Sequence, residues 1–494
     1  MSKQEKFEQL RSKLKELHYF SGLINLATWD QQVYLPVGAS AGRGEQLGFL
    51  AKLRHERATD PALFNLAQEL SEESTLTTEE QAVISETLYD LKKEQKKPSA
   101  LVQALADIET TTHTLWLEAR AKKDFSVVAT KLQDLLVLKQ EYAQAIEPEL
   151  STYDALLDDF ERGTRSRETL ERFAVIKSNV KNLLSDHLPK EQSLPRLLQL
   201  PAKTDRQMEF FTKLGAKIGF DFNRGRLDRT VHPFMASAGP SDIRLTARCK
   251  DEDLFYGLFG FLHEMGHGLY EQGLNSEWIG TPLSDPCSLV VHESQSILFE
   301  KQLGYSKDFQ TFLLAELQNQ FPNDTRKYTT HALYRNWNTP RLSLQRLESG
   351  ELGYALHIIL RTELEAEILS GNLPLKDLPA AWSQKCKEYF DMEPADDLEG
   401  CLQDVHWYAG LWGYFPNYLG GAMYAAQLME SYKRTGSANL TSEEGIRALL
   451  GWLRLNLHSQ GRKLGAEKLL EKITGSKLQV DPYLAYLAQG VLNQ

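Results

Sequence analysis

Apolar residues recur at spacings of three and four along most of the chain, which is the period of one face of an α-helix. Prolines and glycines lie between the periodic segments rather than within them, as helix boundaries require. Strand signals are few, so a mostly α fold is predicted. The clearest predicted helices cover residues 6–30, 100–122, 132–150, 169–185, 207–219 and 310–320.

Residues 231–249 carry the best strand signal, because two short β-type runs flank the sequence SAGPS. This arrangement predicts a hairpin or small sheet just before the apolar segment that follows. No repeat of about 20–50 residues, low-complexity tract or flexible linker interrupts the chain. We therefore predict one large domain over residues 1–494, with a cleft and a minor sheet.

The strongly apolar sequence FLHEMGHGLY contains His263, Glu264 and His267. At about 100° per residue, positions four apart lie on one face of a helix, so both imidazoles can reach one ion. Neutral imidazole suits zinc, and the adjacent carboxylate can take a proton from water. The HExxH pattern fixes only three positions, however, and by itself it also fits a helix that merely carries three polar residues.

Two further observations bear on a metal site. Gly266 and Gly268 indicate close packing against this helix, since glycine in a helix interior costs about 1 kcal/mol. Downstream, the apolar segment SLVVHESQSILFE carries Glu293, 26 residues after His267 (293 − 267), which allows an antiparallel return. A buried carboxylate is costly unless it is paired or binds a metal. Glu293 is therefore a candidate third ligand, with a salt-bridged core residue as the alternative, and His292 is a supporting or structural residue.

Composition narrows the class of protein. The chain has 56 basic and 67 acidic residues, a formal charge of −11, which argues against a general nucleic-acid binder. The polar N-terminal segment has no apolar core of a signal peptide, and no apolar run is long enough to span a bilayer. Four scattered cysteines fit a reducing compartment. We expect a soluble cytoplasmic protein without a nucleic-acid or membrane partner.

An ordered series of motifs along nearly the whole chain resembles the carboxypeptidase Taq family of HExxH zinc metallocarboxypeptidases. HPF, DxRxT and QDxHW are its specific members, whereas HExxH is shared with unrelated hydrolases. The matching segments are TWDQ (28–31), HPF (232–234), DIRLT (242–246), HEMGH (263–267), HESQS (292–296), LHIILR (356–361), LQDVHW (402–407) and GYFPNY (413–418).

The resemblance implies a saddle-like, mostly helical fold with a deep central groove and a small β-sheet beside the active-site helix. It further implies an N-terminal helical part of about residues 1–200 that covers the groove and a catalytic part of about 201–494. The expected protein is a homodimer. The expected activity is release of single amino acids from the free C-terminus of peptides, with broad specificity that disfavours proline.

Matched residue by residue, the resemblance implies one zinc ion per subunit, although cobalt or another divalent ion is also compatible. Its ligands would be His263, His267 and Glu293, and Glu264 would be the general base and acid. A site with three protein ligands and one open position is the arrangement that catalytic zinc requires.

The resemblance also assigns groups to the substrate. His406 of QDVHW would contact the oxyanion and the scissile carbonyl, together with a tyrosine of GYFPNY, for which Tyr418 is preferred over Tyr414. His232 of HPF would contribute to substrate binding. Fixed donors at the carbonyl oxygen would stabilise the negative charge that develops there.

An exopeptidase also needs a cation that recognises the terminal carboxylate, and the planar fork of arginine suits this task. Arg346, in LQRLESGE, matches an arginine of the family pattern IRVEADE and is our first candidate. Arg244 of DIRLT is the second, although it can simply pair with Asp242. A rival reading is a zinc endopeptidase or oligopeptidase with the same two-histidine, one-glutamate site and no such arginine.

The chain departs from the family pattern at four positions. Ser349 and Gly350 replace Ala-Asp, and Phe299 and Tyr305 replace a tryptophan and an arginine. None of these is an inferred metal ligand, so they leave open the shape of the pocket and the dimer contacts. A catalytically silent peptide-binding protein is a further alternative, against which the intact Glu264 argues.

Overall fold

The structure is a computed structural model that describes residues 1–188, 198–436 and 439–492. It confirms a mostly helical chain. The helices are α1 (Lys3–Val33), α2 (Ser40–Ala58), α3 (Pro61–Ser71), α4 (Thr78–Gln95), α5 (Ser99–Lys122), α6 (Ser126–Ile146), α7 (Thr152–Phe160), α8 (Ser166–His187), α9 (Thr204–Ile218), α10 (Phe255–Glu271), α11 (Leu289–Ile297), α12 (Lys307–Gln320), α13 (Pro322–Thr325), α14 (Thr330–Asn338), α15 (Glu351–Leu369), α16 (Leu378–Phe390), α17 (Pro416–Arg434), α18 (Glu443–Asn456), α19 (Ala466–Thr474) and α20 (Asp481–Leu492).

Each helix predicted from the apolar period is present, and one of them differs markedly from its predicted bounds, since it starts at Ser126 rather than at residue 132. The helix predicted over 132–150 is α6, and it ends at Ile146. Proline has no N–H and disfavours a helical conformation in the residue before it. Pro148 therefore ends the helix, although the apolar pattern continues to Leu150.

The predicted small sheet is confirmed and has one strand more than expected. Strands β2 (Met235–Ser237) and β3 (Ile243–Ala247) form the antiparallel hairpin, and Gly239 in their turn has a φ of +119°. Strand β1 (Gly225–Arg229) pairs in parallel with β3, which gives the order β1-β3-β2. The sequence of β1, GRLDR, is short and mostly polar, so it carries little strand signal.

Helix α10 lies between the sheet and helix α11, and two of its four glycines make both contacts close. A Cβ at Gly268 would lie 2.8 Å from the side chain of Leu245 in β3. A Cβ at Gly266 would lie 2.5 Å from the backbone oxygen of Gln295 in α11. The glycines predicted to permit close packing therefore permit a sheet contact on one face and a helix crossing on the other.

The described chain forms two compact units, each assembled from three segments. Unit 1 comprises Met1–Glu94, Arg196–Asn336 and Tyr424–Gln479. Unit 2 comprises Gln95–Pro195, Trp337–Met423 and Val480–Gln494. The division into parts of about 1–200 and 201–494 stays a prediction. No helix within the described residues is long and apolar enough to cross a membrane.

Each unit has its own core. In unit 1, the first half of α1 packs on α3 and α4 through buried leucines and Phe7. In unit 2, α15 packs against α7, α8 and α16 and is buried along nearly its whole length. Polar residues inside α15, among them His357, Arg361 and Glu365, are fully buried. Buried polar groups need partners, so unit 2 must supply them.

Candidate metal centre

Three side chains of unit 1 converge where α10 and α11 cross. His263 and His267 lie one turn apart on α10, and Glu293 comes from α11. Their potential ligand atoms all lie within 4.8 Å of one another. The side chains of His267 and Glu293 are 13% exposed and that of His263 is 24% exposed, so the cluster is mostly buried and still open on one side.

The distances fit a shared ion better than a salt bridge. Nε2 of His263 lies 4.0 Å from Oε1 of Glu293, and Nε2 of His267 lies 3.7 Å from Oε2. In a tetrahedral site with bonds of about 2.0–2.1 Å, neighbouring ligand atoms are about 3.3 Å apart. The Glu293 carboxylate forms no hydrogen bond to any described residue. Small side-chain rotations would close the three donors on one cation, so these residues fit the predicted metal.

Glu264 lies beside this cluster and is 8% exposed. Burial raises the pKa of its carboxyl group to about 7, against the opposing effect of His263. Proton exchange at neutral pH is most efficient for a group whose pKa is near the working pH. A cation at the cluster would lower this pKa and favour the proton-accepting carboxylate.

A carboxylate that the motif analysis did not include holds His263 from its other side. Oε2 of Glu300 lies 2.8 Å from Nδ1 of His263. Burial lowers the pKa of this imidazole, but the carboxylates of Glu293 and Glu300 together raise it to about 10. Glu300 lies seven residues after Glu293 (300 − 293), so a helical face count from Glu293 would have found it.

His267 is held by stacking. Its ring lies 4.4 Å from the ring of His292, at an interplanar angle of 22°. Nε2 of His292 lies 3.1 Å from Oε1 of Glu271. Burial lowers the pKa of His267 well below its ordinary value, and the neighbouring histidines add to this effect. A neutral His267 is the form that can donate a lone pair to a metal.

Unit 2 contains a second polar cluster, centred on Asp404. Arg346 donates to Oδ1 of Asp404 from Nε at 3.2 Å and from Nη2 at 2.9 Å. Arg361 donates from Nε to Oδ2 at 2.7 Å. The two guanidinium groups hold the pKa of Asp404 far below its usual range, although burial opposes this shift. Two cations thus share one anion inside unit 2.

His406 and Tyr418 lie in the same cluster. Nε2 of His406 is 3.1 Å from the Tyr418 hydroxyl, and the Arg346 guanidinium lies 5.3 Å from the centre of the Tyr418 ring. Tyr414 packs edge-on against Tyr418, with ring centres 5.4 Å apart. Burial lowers the pKa of His406 to about 4, so its imidazole is neutral at pH 7. The preference for Tyr418 over Tyr414 stays a prediction.

Comparisons with known proteins identify the family. The model of the carboxypeptidase Taq (M32) metallopeptidases matches residues 9–491. The chain belongs to this family. It is 34% identical to thermostable carboxypeptidase 1 of Thermus thermophilus, over 99% of this chain and 98% of that protein. It is 31% identical to carboxypeptidase 1 of Bacillus subtilis, over 97% of both chains.

Solved structures agree with this assignment. The M32 carboxypeptidase of Deinococcus radiodurans superposes with a TM-score of 0.93 at 34% identity and covers 98% of both chains. Metallocarboxypeptidase 1 of Trypanosoma cruzi superposes with a TM-score of 0.92 at 28% identity, over 99% of this chain and 100% of that chain. The chain is therefore an M32 metallocarboxypeptidase, a peptide hydrolase with the fold of its relatives.

Two predicted substrate-binding residues of this M32 protein lie outside both clusters. Arg244 donates from Nε and Nη2 to the two oxygens of Asp242, at 2.9 and 3.0 Å, as the alternative reading anticipated. Its guanidinium also stacks on Trp29, 4.2 Å from the ring centre. Trp29 thus anchors α1 on the sheet, which gives the TWDQ segment a packing role. His232 is exposed beside β2.

Two of the departures from the family pattern shape the loop that carries Arg346. The Ser349 hydroxyl donates to the Ser343 carbonyl at 3.0 Å. The Gly350 N–H donates to the Arg341 carbonyl at 3.1 Å.

The other two departures lie near Glu300. Phe299 is fully buried, and the Tyr305 ring packs edge-on against Phe259 with ring centres 4.9 Å apart. Both are packing residues of the segment that follows α11. Phe299 therefore fills a core position.

Proposed function

We propose that the chain is a zinc-dependent carboxypeptidase that releases single amino acids from the free C-terminus of peptides, with broad specificity that disfavours proline. The observation that carries the proposal is the convergence of His263, His267 and Glu293 beside the buried Glu264. Two imidazoles and one carboxylate are a donor set that zinc uses in peptidases. The sequence resemblance supports the choice of zinc over other divalent ions.

A zinc ion held by these three side chains would act as a Lewis acid that activates water and polarises the scissile carbonyl. The protein supplies proton transfer. Glu264 takes the proton of the attacking water and later delivers it to the leaving amine. The buried position of Glu264 limits exchange of that proton with bulk water.

The sequence resemblance assigns the other polar groups of the substrate to Tyr418, His406 and Arg346. The Tyr418 hydroxyl and the neutral His406 are proposed donors to the carbonyl oxygen as it gains negative charge. Arg346 is the proposed partner of the terminal carboxylate. Asp404 already binds its Nε and Nη2 and fixes the plane of the guanidinium, which reduces the entropy lost on binding a substrate.

The experiment that tests this function compares an unstructured peptide with its C-terminally amidated twin. Each is incubated with zinc-loaded protein, with and without chelator, and the products are read by mass spectrometry. We expect a ladder of one-residue losses from the free peptide alone, and the chelator should stop it. Metal content measured on the protein as purified from its host cell identifies the ion.

Internal fragments from both peptides would contradict the proposal and favour an endopeptidase or oligopeptidase with the same metal centre. A ladder from both peptides would keep the metal chemistry but remove the terminal carboxylate from recognition. A peptide series with proline at either of the last two positions tests the proposed specificity.

We further propose a cytoplasmic homodimer. The support is the sequence resemblance together with four free cysteines, two of them buried, which a reducing compartment keeps as thiols. Light scattering coupled to size-exclusion chromatography tests the dimer, and a mass of one chain would contradict it.

A further inference from the structure

We propose that Glu300 is a positioning residue, which fixes the tautomer and the ring orientation of His263 so that Nε2 faces the metal. This proposal rests on the proposed metal site and extends it to a residue outside the ligand set. Three features of the structure support it: the hydrogen bond between Glu300 and His263, the backbone that carries Glu300, and the different surroundings of His267.

The hydrogen bond decides which nitrogen of His263 is free. A neutral imidazole carries one N–H, and the nitrogen with the better acceptor keeps it. Oε2 of Glu300 lies 2.8 Å from Nδ1, whereas Oε1 of Glu293 lies 4.0 Å from Nε2. Nδ1–H therefore donates to Glu300, and the lone pair of Nε2 points toward Glu293 and His267. Carboxylates in this position raise the basicity of a metal-binding histidine.

The backbone around Glu300 is specialised. Residues Leu298–Leu303 form a π-helical segment directly after α11, and such segments are rare and concentrate at functional sites. The Gly304 N–H donates to the Phe299 carbonyl at 3.2 Å, a five-residue step (304 − 299) that closes the wide turn. A Cβ at Gly304 would lie 2.0 Å from the Glu300 carbonyl oxygen, so this closure requires glycine.

The helical run from α11 into this segment presents two carboxylates to one ring. Glu293 lies in α11, and Glu300 lies seven residues later (300 − 293) in the π-helical segment. Glu293 and Glu300 flank His263 from opposite sides, one at Nε2 and one at Nδ1. The first position suits a shared ion, and the second suits a hydrogen bond.

His267 lacks an equivalent support. Within the described residues, no side chain accepts a hydrogen bond from its Nδ1. Its ring is oriented instead by stacking on His292, at 4.4 Å. A hydrogen bond with the His292 backbone also holds this ring, whereas the ring of His263 is held by a carboxylate side chain. His263 is thus the imidazole whose ring orientation is set by a carboxylate, and Glu300 is the group that sets it.

The test measures metal binding by the full-length protein with Glu300→Ala, Glu300→Gln and the control Glu316→Gln. Glu316 is a comparable carboxylate of unit 1, 16% exposed, that pairs with Lys217 far from any ligand in sequence. The zinc dissociation constant is measured by competition with a chromophoric chelator. The visible absorption of the cobalt-loaded protein reports the ligand geometry, and the Tm without metal reports the fold.

We expect about 10–100-fold weaker zinc binding and an altered cobalt spectrum for Glu300→Ala. Glu300→Gln should lose less, since its amide oxygen still accepts from Nδ1, and Glu316→Gln should bind as the wild type does. If Glu300→Ala fails to fold, Glu300→Gln decides, because a merely structural role predicts wild-type affinity and spectrum for it. Wild-type zinc affinity in folded Glu300→Ala overturns the proposal alone. Wild-type protein that binds no zinc or cobalt overturns the proposed function with it.

Discussion

The two polar clusters of this chain differ in charge and in how the sequence assembles them. The cluster of unit 1 is rich in carboxylates, with Glu264, Glu293 and Glu300 around two imidazoles. The cluster of unit 2 is rich in cations, with Arg346 and Arg361 on the single carboxylate of Asp404. In each cluster, buried charges of one sign outnumber those of the other. The first is suited to a divalent cation and the second to an anion.

The charge of each cluster suits a different proposed role, which is metal binding in unit 1 and recognition of the substrate carboxylate in unit 2. Buried charges are stable only when they are paired or bind a metal. A metal would balance the unit 1 carboxylates, and a substrate carboxylate would balance the second arginine of unit 2. Variants that remove one group at a time can therefore show whether each cluster does what its charge indicates.

The largest effect with the metal ligands intact is expected from Glu264→Gln, which keeps the size of the side chain and removes the proton acceptor. We expect kcat to fall about 10²–10⁴-fold, the contribution typical of general acid–base catalysis. The ligand set is unchanged, so zinc content should stay at the wild-type level. Hydrolysis rates and metal content are measured on the same sample. Retained activity would exclude Glu264 from the proton transfer.

Glu293→Ala is the counterpart within the same cluster. It removes a proposed ligand, so activity should disappear together with the metal. The loss of affinity should exceed the roughly 10–100-fold effect of losing a ligand's hydrogen-bond partner. Zinc titration of this variant beside Glu264→Gln separates a ligand from a base. Normal zinc binding by Glu293→Ala would place Glu293 among the salt-bridged core residues that the sequence left as an alternative.

Asp404→Ala tests the second cluster through stability. The variant leaves Arg361, which is fully buried, and Arg346, which is 10% exposed, without their carboxylate. Breaking a buried ion pair costs about 3–5 kcal/mol in the free energy of unfolding. Denaturant unfolding measures the loss. Asp134→Ala, which breaks the exposed pair with Lys131, is the control and should change stability by about 0.5 kcal/mol or less.

The two clusters also differ in how much of each can be predicted from the sequence. His263, His267 and Glu293 were predictable, because helix period places two of them on one face and an apolar helix makes the third conspicuous. The partners of Asp404 were not, since they lie 58 residues (404 − 346) and 43 residues (404 − 361) away. Periodicity identifies the buried face of a helix, but it does not determine which loops meet there.

The smallest predicted effect concerns Glu365, a buried residue of unit 2. Its Oε1 accepts from Nε1 of Trp407 at 2.8 Å and from the Gly413 N–H at 3.2 Å, and its Oε2 accepts from the Tyr153 hydroxyl at 3.0 Å. These bonds fix the segment between His406 and the GYFPNY sequence. Burial outweighs the three donors and raises the pKa of Glu365 from 4.5 to about 7.

The sign of the pH effect follows from this raised pKa. Below pH 4.5 the folded and unfolded chains both hold the proton, so Glu365 contributes no pH dependence there. Between pH 4.5 and about 7 the unfolded chain releases its proton first, and the wild type loses stability as the pH rises. At about 1.4 kcal/mol per pKa unit, the loss reaches about 3 kcal/mol.

Glu365→Gln removes this titration and keeps an oxygen for Trp407 and Gly413. We therefore expect the Tm of the variant, relative to the wild type, to rise between pH 5 and about pH 7 and to level off between pH 7 and pH 8, because the pKa of Glu365 is about 7. Glu367→Gln on the same helix, where the side chain is 43% exposed, is the control and should run parallel to the wild type. Parallel Tm curves for Glu365→Gln would mean that the donors, rather than burial, set the protonation of Glu365. The Glu365 carboxylate, which binds Trp407 and Gly413 next to the unit 2 cluster, would then be charged at neutral pH.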